Sequence, residues 1–387
     1  MEVGPDGLLY FPVMGANEIW RIDPNAPGTA EPETVATGLG VPDSVKFDAD
    51  GLIVSTQVAS GQVLRIDPRT GDHTVLAQLT PGLDNCTLVD GRLFVSNFTG
   101  EITEILDGGQ TRTTLPGALN WPMDLAVGHD GRVYVADGTY LYALNPDGSL
   151  QTVGMLFSPG YPGFLRGLVA SGPGEFVVTT SGGQIARYRP ASNETEFLAD
   201  DFDQLYGVAL VSGGIVAAEL GTGRVVSVDP AGSGAVDVLA TGLADPVGVT
   251  VSPDGDVLVA ESGAGRVVRV TPSGTDTVVD GLVRPQGILV VGSGGQERSD
   301  QGNVGSLFIV DAGQKAVIEL DLATGVRTTI AAGLPVGPPP GVVPKPLLGM
   351  PPFSGPQGPF AGIAAGPDGT LYVSADGEGS VIALRRT

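Results

Sequence analysis

The feature that most constrains this chain is its self-similarity at a period of about forty residues. A tight turn, often Pro-Asp-Gly or Asp-Gly, leads into a β-branched or aromatic run. A short polar loop and a second run rich in Val, Ile and Arg follow. Asp50-Gly51-Leu52-Ile53-Val54, Asp90-Gly91-Arg92-Leu93-Phe94 and Asp130-Gly131-Arg132-Val133-Tyr134 are three copies, and Asp254-Gly255 and Asp368-Gly369 open two more. Weaker copies start at Gly174, Gly213 and Gly305. Upstream of each lies a short lead-in whose third residues are Ser44, Asn85, Asp124, Gly167, Gly207, Gly248, Gly287 and Gly362. They stand 41, 39, 43, 40, 41 and 39 residues apart, then 75 to the last. Short strands at this period, with turn chemistry between them, predict propeller blades of four antiparallel strands. No segment holds a 3.6-residue apolar pattern, so helices should be almost absent.

One such sheet buries too little apolar surface alone, so neighbouring sheets must stack on both of its faces. Strands covered on both faces lose period-2 alternation, as in Ile215-Val216-Ala217-Ala218. With a first copy at Gly4-Pro5-Asp6-Gly7 the copies number nine, which predicts an all-β chain: a single β-propeller domain over residues 1–387 with nine blade-like repeats. The alternative is eight blades plus an extra edge unit. The first copy lacks the start of its inner strand, and the last stops after Ile382-Ala383-Leu384 without an outer one. Two insertions interrupt the pattern. Residues 292–305 are Gly/Ser-rich and read as a mobile loop. Residues 335–359 are proline-rich and read either as a wall over one channel mouth or as an ordered surface loop.

Composition narrows the partners. A formal charge of −23 leaves no basic face for nucleic acid or anionic membrane. With 42% hydrophobic residues, the 60 glycines and 31 prolines do not signal disorder. No apolar run approaches 18 residues, so no membrane-spanning segment is expected. No leader precedes Gly4-Pro5-Asp6-Gly7, which fits a cytoplasmic chain or a mature exported one. Oligomeric state is open. The one cysteine, Cys86, excludes an intrachain disulfide and reads as a small buried residue.

The phrases Pro42-Asp43-Ser44-Val45-Lys46-Phe47, Pro246-Val247-Gly248-Val249 and Gly15-Ala16-Asn17-Glu18 resemble the propeller superfamily of senescence-marker protein, gluconolactonase and luciferin-regenerating enzyme. They also resemble NHL-repeat proteins and, in the Gly-Ala-Asn phrase, virginiamycin B lyase. The lactonase resemblance implies a divalent metal, commonly calcium, held by Asp, Asn and Glu where inner strands begin. Carried over residue by residue, it points to Asp43, Asp84, Asn85 and Asp124 as metal ligands. The other lead-ins depart from that pattern at Arg166, Tyr206, Val247, Gln286 and Ala361.

From the residues themselves, carboxylate and amide oxygens from adjacent blades suit a hard cation. Asp124, Arg166 and Tyr206 are the candidate catalytic groups, with Arg166 stabilising an oxyanion and Tyr206 orienting it. Each Asp or Asn is also an ordinary turn residue that hydrogen-bonds backbone. The expected function is metal-dependent hydrolysis of a lactone or related small ester. The alternatives are a non-catalytic propeller binding a ligand or partner, or a lyase or cyclase of the same superfamily using Glu219 or Glu261 as base. A second set, Asn97, Asp137, Glu219, Glu261, Asp311 and Asp376, ends the second strands and reads as loop-pinning. His73 and His129 fall in an outer strand and a hairpin, so a histidine base is not expected.

Overall fold

The Asp-Gly turns make the hairpins that the repeat requires. Gly51, Gly131 and Gly369 take φ of 75°, 78° and 79°, a region L side chains avoid. The aspartate beside each turn secures it: Asp130 accepts from the Arg132 N–H at 3.1 Å and the Tyr134 hydroxyl at 2.9 Å. Asp6 does the same for Leu8 and Tyr10.

The computed structural model describes residues 1–292, 305–339, 341–345, 347–349 and 354–385. The glycine-rich loop expected at 292–305 therefore lies outside the described residues over 293–304, and the proline-rich excursion lies outside them at 340, 346 and 350–353. The described residues form nine antiparallel sheets, eight of four strands and the last of three. The first blade has its four strands, beginning with the short Glu2–Val3. Among the described residues, helix is confined to three single 3₁₀ turns, at Met14–Ala16, Asp107–Gly109 and Pro190–Ser192.

The chain divides into two compact units, residues 1–120 and 121–387. The first holds blades one to three. Blade one packs on blade two through Tyr10, Ile19, Val45, Ile53 and Ile66, and blade two on blade three through Val54, Val63, Leu83 and Val95. Thr56, at the end of blade two's second strand, donates to the Asp84 carbonyl at 2.6 Å. Cys86 is 4% exposed within this core. Burial pushes its thiol up, so it is a protonated, inert packing residue.

The second unit holds blades four to nine, and their inner strands form a cycle. Gly287 N–H donates to the Ala361 carbonyl, and Gly362 N–H to the Met123 carbonyl, both at 2.9 Å. The Ser374 hydroxyl also donates to Met123, so blade nine lies against blade four. The sequence repeat numbers nine, as read; the cycle that this unit completes contains six of them. Close approach explains the recurrent glycine at the third lead-in position. A Cβ on Gly248 would stand 2.0 Å from the Gln286 carbonyl oxygen, and one on Gly287 would stand 2.4 Å from that of Ala361. Inner strands converge there more tightly than any side chain permits. Outward from the glycines, apolar faces interdigitate; Val225, Val226, Val267 and Val268 are each 0% exposed. Burial of each such side chain contributes about 1.5–3 kcal/mol.

Candidate functional site

The second-strand carboxylates are fully engaged in holding loops, as read. Glu219 accepts from the Asp203 N–H at 2.8 Å and is paired with Arg224. Glu261 accepts from Ala244 N–H at 2.8 Å and pairs with Arg266 at 2.6 Å. Asp311 accepts from the N–H groups of Val283 and Arg284, Asp137 from that of Trp121, and Asp376 from that of Gly337. In each blade the carboxylate ties down the loop that leads into its own inner strand. Neither Glu219 nor Glu261 is poised as a base.

The six lead-in residues of interest separate into two groups. Asp43, Asp84 and Asn85 belong to the first unit; Asp124, Arg166 and Tyr206 belong to the second. In the first unit the Asp43 and Asp84 carboxyl groups hydrogen-bond to each other, and Asp43 is pushed up to about 6 by burial and then by Asp84 beside it. Two carboxyl groups in contact require a shared proton or a cation between them. Asn85 beside them is exposed, and its Oδ1 accepts from the Cys86 N–H at 2.8 Å. In the second unit, the two Asp124 oxygens accept from the N–H groups of Leu125 and Leu168, both at 3.0 Å. Among the described residues no group of three or more His, Cys, Asp or Glu is placed to share a metal ion.

The Asp43–Asp84 contact carries a pH signature. The folded state binds the Asp43 proton more tightly than an unfolded chain, whose carboxyl titrates near 3.8. The stability that Asp43 contributes is therefore full below that pH and lost as pH rises through about 6. Asp43→Asn, which mimics the protonated form, is expected to gain stability relative to the parent between pH 4 and pH 7. Urea midpoints at the two pH values check this; a parent–variant difference that does not change with pH would refute it.

The second unit draws its site from the second residues of successive lead-ins: Met123, Arg166, Tyr206, Val247, Gln286 and Ala361. All are buried, Arg166 completely at 0%. The Arg166 guanidinium stacks 4.4 Å from the Tyr206 ring centre and gives one hydrogen bond, Nη1 to the Leu205 carbonyl at 2.9 Å. Among the described residues, Nε and Nη2 are buried without a partner. Burial pulls this guanidinium down from its usual value, yet arginine stays charged near neutrality. Asp124, partly exposed but crowded by protein, is pushed up to about 7 by burial, offset by its two backbone donors.

The end of the proline-rich excursion lies over these groups. Gly358 N–H is hydrogen-bonded to the Tyr206 hydroxyl, Gly355 N–H donates to Ser181 Oγ at 3.3 Å, and Gln286 Oε1 accepts from Ala361 N–H at 2.8 Å. Phe360 is 2% exposed and packs with Met123, Tyr206 and Val247, with Trp121 alongside. Residues 354–360 form a strap across the centre of the unit. Ser181 and Gly358 escape a sequence reading because neither sits in a lead-in; the one signal is the proline run just before Phe360. An open groove of about 530 Å³ in the first unit, lined by residues 34–37 and 70–73, lies on outer strands rather than at any inner-strand start.

Nine antiparallel sheets with close-packed inner strands make this a β-propeller protein. Its residues 243–270 match the NHL repeat family model, a stretch that takes in the lead-in and first three strands of blade seven. Among solved structures, the chain is similar to a virginiamycin B lyase from Staphylococcus aureus with quinupristin (14% identity, 97% of each chain, TM-score 0.32). It is also similar to a putative gluconolactonase (17% identity, 69% of this chain and 91% of that one, TM-score 0.45). An auxiliary nutrient binding protein from Bacteroides thetaiotaomicron is a third (11% identity, 86% and 94%, TM-score 0.49). Likenesses this distant say nothing of activity. Among curated proteins, none matches the chain.

Proposed function

We propose that the chain is a ligand-binding propeller whose second unit takes a small molecule through a carboxylate at Arg166, beneath the 354–360 strap. The observation that carries this reading is the unpartnered Nε–Nη2 edge of a completely buried guanidinium. That edge presents two parallel N–H donors, the fork that grips a carboxylate through both oxygens. Buried donors left without partners are costly, by about 1–3 kcal/mol each, and groups kept at such a cost are characteristic of binding sites. Tyr206 supplies a stacking face, and the strap is the element that must lift to admit the ligand.

Thermal unfolding of the full chain against a panel of small carboxylates and their neutral amides tests the reading. At least one carboxylate is expected to raise the midpoint of the parent but not of Arg166→Met. A panel that shifts neither protein, or shifts both alike, would remove Arg166 from the binding role.

Hydrolysis of a lactone or small ester is the second reading, favoured by Asp124, whose carboxyl near 7 suits a general base. In it the substrate carbonyl replaces the carboxylate at Arg166, and Tyr206 holds the ring. Turnover of lactones that disappears in Asp124→Asn would support it, and turnover unaffected by that change would exclude Asp124 as the base.

A further inference from the structure

Packing of the second unit leaves one charge without a counterpart among the described residues. Arg166 is 0% exposed, and its Nε and Nη2 have no partner there. Its one hydrogen bond goes to a neutral acceptor, the Leu205 carbonyl, and burial keeps the Tyr206 hydroxyl of the ring against it protonated. The carboxylate whose charge reaches the guanidinium, Asp203, is exposed and acts through space. Asp124, at the preceding lead-in, has both oxygens engaged by backbone N–H groups. An ionised group so far from water is strongly unfavourable unless it is paired. The surroundings are closed: Met123, Val247 and Phe360 pack in one apolar cluster with Tyr206, and Gly358 N–H meets the Tyr206 hydroxyl. A carboxylate carries a carbon skeleton and enters only when the strap lifts, whereas an anion of one atom does not need that movement.

We infer, on the reading that Arg166 takes anions, that its Nε–Nη2 edge holds a halide ion, chloride in ordinary salt, while the 354–360 strap is closed. The two N–H bonds of that edge run parallel, so one spherical ion set between them accepts from both. Guanidinium is a weakly hydrated cation. Chloride and bromide shed water more readily than fluoride, which suits them to an interior walled by Met123, Val247 and Phe360. The ion neutralises the buried charge and satisfies both donors, so it favours the closed state. A carboxylate ligand then has to exchange with the halide, and the two compete for one edge. The acidity of the chain, −23 overall, holds anions away from its surface, which places the expected affinity in the millimolar range.

Scanning calorimetry of the full chain, in buffer free of halide and carboxylate, with sodium chloride, bromide or fluoride added, is the test. Raising chloride from about 1 to 100 mM is expected to raise the parent midpoint by about 2–4 °C. Bromide should do at least as much and fluoride less, against the general trend in which strongly hydrated anions stabilise proteins more. Arg166→Met should follow the general trend alone, so its advantage over the parent is largest without halide and shrinks as chloride rises. Arg166→Lys keeps the charge and loses the fork, and should lose about tenfold in chloride affinity. Any carboxylate that stabilises the parent should weaken in direct proportion to chloride. Fluoride acting as well as chloride, chloride acting alike on the parent and both variants, or no chloride effect would each overturn the halide assignment. A chloride effect confined to the parent, with no carboxylate active, would keep the halide and remove the carboxylate ligand; a carboxylate effect without a chloride effect would do the reverse.

Discussion

Arg166→Met is expected to raise the unfolding midpoint of the second unit rather than lower it. The guanidinium is wholly buried and holds one hydrogen bond, to Leu205, and one ring contact, to Tyr206. A charged hydrogen bond contributes about 1.5–3 kcal/mol, and a desolvated cation–π contact about 2 kcal/mol. Against these stand several kcal/mol for removing the charge from water and the two unpartnered donors Nε and Nη2. Methionine fills much of the same volume with no charge and adapts to an irregular cavity. The balance favours the variant by about 1–2 kcal/mol, within the range seen when buried charges give way to apolar side chains. Urea unfolding in a Trp20→Phe background leaves Trp121, which packs on the central cluster of the second unit, as the reporter. A loss of about 3 kcal/mol would make Arg166 a structural residue. A gain would mean that its position is retained against stability, as binding groups commonly are.

The second large effect is expected at Gly248. Its Cβ would lie 2.0 Å from the Gln286 oxygen and 3.1 Å from the Gln286 carbonyl carbon, both backbone atoms of a strand buried on either side. Neither strand can retreat without opening the cycle of six. Gly248→Ala is expected to destabilise the second unit by about 3 kcal/mol or more, the upper end of overpacking costs. Gly255→Ala is the control: φ is +89° and nothing stands within 4 Å of the added carbon, so the cost is the backbone term alone, about 1 kcal/mol. Parent, control and variant compared by thermal unfolding should fall in that order. Equal effects at the two glycines would show that strand approach does not select glycine in the lead-ins.

The blade was legible because its causes are local. Asp130-Gly131 makes a turn whether or not the rest of the chain is present, and Val133–Asp137 is a strand because its residues suit burial on both faces. The loop-pinning role of Glu219 and Glu261 was legible for the same reason, since each holds a segment 16 or 17 residues away within its own repeat. The surroundings of Asp124 were not. Asp43 and Asp84 are the second residues of their lead-ins and Asp124 the third of the next, and the spacing alone makes them neighbours on one mouth. Yet Asp124 is flanked by Leu168 on one side and by Gly362 on the other, because Ser374 and Gly362 of the last blade reach Met123. Periodicity says that sheets follow one another; it does not say which sheet the last one meets.

The strap is a similar case. A run of prolines marked residues 335–359 as an ordered excursion, and burial of Phe360 against Tyr206 and Met123 decided what it covers. The amino-acid sequence by itself determined the unit of construction: four short strands, their turns and the scarcity of helix among the described residues, all set by interactions spanning forty residues or fewer. Only the tertiary structure decided how many units complete a cycle, which lead-in side chains share an interior, and that among the described residues two donors of the buried Arg166 have no partner. Those outcomes depend on contacts between segments up to 251 residues apart, such as Ser374 with Met123. Such contacts exist only after every intervening sheet has taken its twist and packed on the next.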